Sequence, residues 1–325
     1  MMELIPNLVD TALAFAHMDA IDALRAFFIF ASCTILSVNL LDTLRLRFVP
    51  YGARVTTTVK SDPSPAEAPS SKSLAQTLDY LAALRVPHSY FTHFYIASVL
   101  SSIFWAAQVL QQGHAFQAVA TRIRPERLQP ASSMTPHQVI LCWVLMLGQG
   151  ARRLSECAIF SKPSSSRMWF VHWLVGIAFY LAVAVGIWIE GTGALQSYEF
   201  TLDDAKVTIV PSLPTFLGVP LFLIASGVQH DCHHYLFSLK KYSLPTHPIF
   251  RVIVCPHYTA ECVIYLSLAL LAAPQGQTIN KTLLCAFVFV TINLGVTATT
   301  TKKWYMQKFG EESVRDRWNM IPGVY

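Results

Sequence analysis

Charge is what this chain has least of. Only 13% of its 325 residues are Asp, Glu, Lys or Arg, against 53% hydrophobic residues, and the mean hydropathy is +0.43. A soluble domain carries about twice that charged fraction, so the composition excludes a surface built mainly for water. No GxGxxG follows a strand-like run, which removes the motif basis for a Rossmann cofactor domain. The basic lead of a secretory signal is missing too, with Glu3, Asp10, Asp19 and Asp22 in its place. Seven cysteines, at 33, 142, 157, 232, 255, 262 and 285, scatter within or beside apolar runs. That pattern is no disulfide framework and reads as small apolar filler. The net charge of +5 reads as loop asymmetry and not as a nucleic-acid footprint.

What the chain does have is a series of apolar windows long enough to cross a bilayer, for which roughly 20 residues suffice. Seven are predicted: 23–41, 90–110, a third within 128–151, 168–189, 207–229, 252–273 and 282–300. The fifth is interrupted by Pro211, Pro214 and Pro220, which a membrane helix tolerates when neighbours satisfy the freed carbonyls. Between the first two lies a Pro/Ser/Thr-rich stretch, 56–73, read as a flexible loop. The fold class expected is therefore an all-α integral membrane protein, a seven-helix bundle. Its organisation is read as 1–85 (first span and loop), 86–206 (spans two to four) and 207–325 (spans five to seven and the tail).

The positive-inside rule orients the bundle. Acids precede the first span, while Arg45, Arg47, Arg54 and Lys60 follow it. The N-terminus is thus expected away from the cytosol. Arg152, Arg153, Lys162 and Arg167, then Lys240 and Lys241, then Lys302, Lys303, Lys308, Arg315 and Arg317 fall on the cytosolic side. The opposite loop, 190–206, carries Glu190, Glu199, Asp203 and Asp204 against Lys206. One loop disagrees, since it places Arg122, Arg124 and Arg127 on the acidic side.

The polar island 227–261, GVQHDCHHYLFSLKKYSLPTHPIFRVIVCPHYTAE, stands out between apolar runs. His230, His233 and His234 fit the HxxHH pattern of membrane di-iron enzymes, and imidazole suits iron. The companion histidine boxes of those enzymes are missing, because His93, His114, His137, His172, His247 and His257 are scattered. A zinc site from Cys232, His233, Cys255 and His257 matches no closed spacing. The alternative is an anion cradle. Gln229, His233, Lys240 and Tyr242 lie close in sequence, with His257 and Glu261 on the next span, and such groups bind pyrophosphate. The plainer reading of the lysines is an interfacial pair with snorkelling side chains. Two other places carry chemistry. Arg152 and Glu156 stand at i, i+4, the spacing of a simple helix ion pair, with Arg153 beside them. His93 and Tyr95 sit inside an apolar span, where ionisable groups are costly and usually functional.

These segments together resemble the steroid 5α-reductase family, and most closely its polyprenal reductase branch. The residues that carry the likeness are VPHSYFTHFYIASV at 86–99, GQGARRLSEC at 148–157, QHDCHHYLFSLKK at 229–241, the run from Tyr242 to Glu261, and WYMQKF with the later Ile321-Pro322. The resemblance implies a seven-helix bundle with NADPH in a cytosol-facing cavity, and reduction of a carbon–carbon double bond conjugated to a carbonyl. The family's cofactor-contacting positions fall on Gln229, His233, Lys240, Tyr242, His257, Glu261 and Tyr305. The chain departs from the family's pattern in three ways. An acid has become His233, an arginine has become Ser243, and a late histidine is replaced at Thr301 or Lys302. Arg317 matches a late arginine only with a one-residue insertion.

By the same resemblance, hydride goes to the β carbon of an α,β-unsaturated aldehyde, and a donor meets the carbonyl oxygen. The steroid enzymes use a Glu on the second span and a Tyr on the third. Here His93 takes the second-span place as carbonyl donor, with Tyr95 nearby and Arg153 and Glu156 supporting. The substrate implied is a long-chain isoprenoid lipid, its tail held between helices, with dolichol synthesis in the endoplasmic reticulum membrane as the setting and the C-terminus cytosolic. No metal, nucleic acid or obligate protein partner is implied. The rival readings are a steroid or other enone reductase, a di-iron hydroxylase, a methyltransferase of the isoprenylcysteine type, and a non-enzymatic membrane scaffold.

Overall fold

A computed structural model of the chain describes residues 4–48, 69–160, 162, 165–201 and 212–325. Arg54, Lys60, Asp203, Asp204, Lys206 and Pro211, and the 56–68 part of the expected loop, lie outside the described residues. The described chain is almost entirely helical. In order it forms α1 (Leu4–Phe15), α2 (Ala20–Leu40), α3 (Asp42–Phe48), α4 (Pro69–Ala83), α5 (Thr92–Leu110), α6 (His114–Ala120), α7 (Pro136–Ile159), α8 (Phe170–Gly186), α9 (Thr192–Leu195), α10 (Leu213–Ser238), α11 (Pro248–Val252), α12 (Pro256–Leu271) and α13 (Lys281–Phe309). Two short strands, β1 (Arg85–Pro87) and β2 (Arg167–Trp169), pair antiparallel where α5 and α8 begin.

Five helical segments are long and apolar enough to cross a membrane: Ala20–Leu40, His88–Leu110, Phe170–Leu195, Leu213–Ser238 and Lys281–Phe309. α7 and α12 coincide with the remaining two expected spans, at 24 and 16 residues.

Boundaries moved where capping chemistry overrides hydropathy. The stretch 128–151, within which the third span is expected, opens outside the helix, with 3-10 turns at Pro125–Arg127 and Pro130–Ser132. The helix then starts at a capping box in which Thr135 and Gln138 bond reciprocally, with Pro136 in the first turn. Asp19 caps α2 and Asn280 caps α13, each side chain accepting from the backbone N–H three residues on at 2.8 and 2.9 Å. Met168, expected in the fourth span, belongs to β2. Residues 69–73, read as flexible loop, open α4. The fifth span runs nine residues beyond its expected end at Gln229, so much of the polar island is the last turns of a long helix.

The helices pack as two rows. α5 lies between α7 and α8, while α12 lies between α10 and α13, with α2 against α13. Small residues allow close approach, as is usual between membrane helices. A Cβ on Gly150 of α7 would meet Ser98 Oγ of α5 at 2.8 Å, and one on Gly176 of α8 would meet the Phe94 ring at 2.6 Å. Between the rows an aromatic seam forms, with Phe179 stacked on Phe289 at 4.8 Å and edge-on to Phe28 at 5.9 Å.

At one end of the bundle Glu190 accepts from Arg25 Nη2 at 2.8 Å and from the Thr282 N–H at 2.9 Å. The three arginines that broke the charge rule lie near this end, each facing an acid of the N-terminal segment. Arg122 pairs with Asp10 at 2.6 Å, Arg124 with Asp22 at 3.4 Å, and Arg127 with Asp19 and Asp22 at 3.0 and 2.9 Å. Their charge is balanced locally.

At the other end the C-terminal tail clamps the loop before α12. The Val254 N–H donates to the Trp318 carbonyl at 2.8 Å, and Arg317 Nη1 donates to the carbonyls of Pro245 and Phe250 at 3.1 and 2.9 Å.

Candidate active site

Four helices place polar side chains on inward faces at one level of the bundle. On α7, Gln149, Arg152, Arg153 and Glu156 follow at i, i+3, i+4 and i+7, the repeat of a single helical face. Ser226, Gln229, His230 and His233 repeat that spacing on α10. Tyr95 comes from α5, and His257 and Glu261 come from the start of α12.

The centre of the arrangement is Glu156, whose side chain is 4% exposed. It accepts from Arg152 and Arg153 of its own helix. Across the interface its two oxygens meet His230 Nδ1 and His233 Nδ1, each at 2.8 Å. Arg153 Nη1 also lies 2.7 Å from His233 Nδ1. Charge decides the tautomer: a carboxylate is the better acceptor, so the His233 Nδ1–H donates to Glu156. The Arg152–Glu156 pair expected from spacing is present, but it is one strand of a wider network. On its other flank Arg153 donates to Tyr95 Oη from Nη2 at 2.8 Å and from Nε at 3.1 Å.

A chain of amides continues the network. Ser226 Oγ donates to Gln149 Oε1 at 3.0 Å, and Gln149 Nε2 donates to Gln229 Oε1 at 2.9 Å. Gln229 in turn donates to Glu261, while Arg152 bridges both glutamines. Gln149 and Gln229 are both buried, and pairing keeps that burial tolerable. Two polar atoms at this level remain unpaired, Arg152 Nε and His257 Nδ1. Unpaired buried polar atoms of this kind fit a site that receives a polar ligand.

The sequence-selected residues divide into three groups. Tyr95, Arg153, Glu156, Gln229, His233 and Glu261 join one network. His257 borders it, its ring 5.4 Å from that of His233. Lys240, Tyr242 and Tyr305 lie apart, lining a surface pocket of about 250 Å³ with Lys162, Leu239, Ser243 and Trp304. Tyr242 holds a left-handed backbone with φ of 67°, a strained conformation for a tyrosine. Its ring takes Lys308 Nζ at 4.5 Å and Lys241 Nζ at 5.2 Å. His93 belongs to neither group. It packs against Tyr90 and Trp173, ring centroids 4.5 and 6.1 Å away, because two residues along a helix turn it about 200° from Tyr95.

His234, the last member of the HxxHH pattern, packs against Phe160 at 5.6 Å. Among the described residues no group of three or more His, Cys, Asp and Glu side chains is arranged to hold a metal ion. Sequence reading missed Gln149 and Ser226, although the i, i+3, i+4, i+7 spacing they complete was visible. It also missed Lys162 and Trp304 as pocket residues, and Lys308 over the rings of Tyr242 and Trp304. These come together only through tertiary folding, and no local pattern marks them.

The chain was compared with known proteins. Residues 175–325 match the family described as 3-oxo-5-alpha-steroid 4-dehydrogenase. Polyprenal reductase 1 of Oryza sativa subsp. indica is 28% identical over 310 aligned positions, covering 81% of this chain and 84% of the relative. The polyprenal reductase of Saccharomyces cerevisiae is 29% identical over 238 positions, with 73% and 74% covered. That of Caenorhabditis elegans is 28% identical over 263, with 74% and 80% covered. The C-terminal part of the chain is thus similar to the steroid 5α-reductase family, and most of its length is similar to polyprenal reductases.

Proposed function

We propose that this protein is a polyprenal reductase, saturating the α-isoprene double bond of polyprenal in dolichol synthesis and so supporting protein N-glycosylation. The similarity to polyprenal reductases over about four fifths of the chain carries the substrate class. The Tyr95–Arg153 contact carries the chemistry. Arg153 donates to the phenol oxygen, which leaves the phenol's own proton free to be donated. A cation behind such a hydroxyl makes it a stronger donor, and a dry site magnifies the effect.

In an α,β-unsaturated aldehyde, hydride adds to the β carbon and negative charge moves to the carbonyl oxygen. Tyr95 stabilises that oxygen, and a proton then reaches the α carbon. The isoprenoid tail lies along the apolar seam between the helix rows. His93, the carbonyl donor suggested by family position, serves in this reading as part of the aromatic wall with Tyr90 and Trp173.

NADPH is the hydride source in this proposal. Gln229, His233, His257 and Glu261 would hold it within the bundle. Lys240, Tyr242 and Tyr305 would hold its phosphates at the bundle mouth, where Lys162 and Lys308 add positive charge. The unpaired Arg152 Nε and His257 Nδ1 are polar atoms the bound molecule would satisfy.

The proposal includes seven crossings, with α7 and α12 added to the five apolar segments, in the endoplasmic reticulum membrane with the basic end cytosolic. Residues 86–206 supply the substrate site and 207–325 most of the cofactor site. The test is to incubate purified protein with polyprenal and NADPH and to look for the α-saturated product. Turnover of a steroid enone without turnover of polyprenal would replace this reading with that of a steroid reductase.

A further inference from the structure

α12 carries three polar side chains in single file. His257, Glu261 and Tyr265 follow at i, i+4 and i+8 and so share one helix face, over about 12 Å at 1.5 Å per residue. Glu261 is bonded to Gln229. The groups on either side of it are not satisfied, since His257 Nδ1 and Tyr265 Oη are both buried without a hydrogen-bond partner. Tyr265 is the deeper of the two, 1% exposed, with its ring 5.6 Å from Phe179.

A phenylalanine would fill this apolar position without a polar atom to bury. A tyrosine left dry there carries the desolvation penalty of its unpaired hydroxyl, unless a ligand brings an acceptor. The surroundings point to such a ligand. Phe179, against which Tyr265 packs, lies 5.3 Å from the ring of Tyr180 on α8, and Tyr180 lies 5.5 Å from that of Tyr95. A chain of rings therefore links Tyr265 of α12 through α8 to the Tyr95 phenol of α5, which Arg153 holds.

We propose that Tyr265 is a further catalytic residue whose hydroxyl donates a hydrogen bond to the carbonyl oxygen of the bound isoprenoid aldehyde, beside Tyr95. This rests on the reductase reading above. As hydride reaches the β carbon, the electron pair of the double bond moves toward the carbonyl oxygen. Two O–H donors from facing helix rows, fixed in place and shielded from water, stabilise the charge that builds there. Tyr265 keeps its proton throughout, so the role adds no step to the proton balance. His257, at the other end of the file, faces the cofactor side, and the file measures the depth from the bundle mouth to the substrate head group.

The test compares wild type with Tyr265→Phe, which removes only the hydroxyl. Thermal unfolding in detergent is followed alone, with a long-chain isoprenoid aldehyde, and with the hydrocarbon of the same length. The ligand-free variant should unfold no earlier than wild type, because it loses no hydrogen bond. The aldehyde should raise the wild-type midpoint more than the hydrocarbon does, and that difference should shrink in the variant, where Tyr95 is the donor that remains. The rate of polyprenal reduction should fall by on the order of a hundredfold. An undiminished aldehyde preference in Tyr265→Phe, no preference in wild type, or a wild-type reduction rate in the variant would each overturn the proposal. The binding arm does not depend on turnover. A wild-type protein that prefers the aldehyde, with a smaller preference in the variant, yet reduces no polyprenal, contradicts the reductase reading while supporting Tyr265 as a head-group donor.

Discussion

Arg153 of α7 donates twice to the Tyr95 hydroxyl of α5, from Nη2 at 2.8 Å and from Nε at 3.1 Å, with its guanidinium carbon 4.8 Å from the centre of that ring. The phenol oxygen is thereby fully engaged as an acceptor, and its proton is left to serve something else. Tyr95→Phe should therefore lower the rate of reduction by on the order of a hundredfold while leaving cofactor affinity within about twofold. Steady-state kinetics with separate determination of kcat and of KM for NADPH checks this. His93→Ala, which removes a ring packed on Tyr90 and Trp173, should cost far less in kcat than Tyr95→Phe. The reverse order would return the donor role to His93.

Glu156 balances two arginines and receives two imidazoles from the facing helix. Removing one partner of a buried ion pair leaves the others uncompensated, typically at a cost of about 3–5 kcal/mol. Glu156→Ala should consequently lower the unfolding midpoint in detergent well below that of wild type, with loss of activity following loss of fold. If the midpoint is unchanged, the network is not what joins α7 to α10.

The lysines at the bundle mouth act at longer range. Lys308 lies over the rings of Tyr242 and Trp304 at 4.5 and 5.0 Å, and Lys240 lines the same pocket. A Lys240→Ala, Lys308→Ala double variant should raise KM for NADPH about tenfold with kcat little changed. The penalty should shrink as salt screens the wild-type attraction. A fall in kcat with unchanged KM would move these residues away from the cofactor.

Charge pairing at the opposite end makes a topological prediction. Asp10, Asp19 and Asp22 neutralise the three arginines that the positive-inside rule misplaces. Replacing all three acids by asparagine leaves those arginines bare, and a fraction of the chains should insert with the N-terminus reversed. Glycosylation mapping of an N-terminal acceptor site reads that fraction directly. Uniform insertion in the variant would show that the arginines do not need these partners.

Much of the bundle was legible because apolar runs set helix positions almost by themselves in a membrane. The clearest example is α8, whose expected span differs from the observed helix by only two or three residues at either end. Legibility failed where capping or polar continuation outweighs hydropathy. The Thr135 capping box starts α7 eight residues into the charge-free stretch 128–151, and α10 extends through Gln229, His230 and His233 because a polar residue continues a helix well when another helix supplies its partner. The site was half legible for a related reason. Arg153, Glu156, Gln229 and His233 stood out as polar groups in apolar surroundings. Placing Tyr95, and not His93, in the polar network required helix rotation, which sequence spacing gives only relative to a known inward face. Tyr265 did not stand out, since a tyrosine in an apolar run looks like core until its hydroxyl is found without a partner.

The central claim is that hydride reaches the β carbon of polyprenal while the aldehyde oxygen is held by phenol donors. Polyprenal should be reduced by the purified protein with NADPH carrying deuterium at the transferable position, and the product analysed by mass spectrometry and NMR. The account predicts an α-saturated aldehyde with a single deuterium on the β carbon and none on the carbonyl carbon. Deuterium on the carbonyl carbon, with the double bond intact, would mean that the protein reduces the aldehyde itself and would contradict the account.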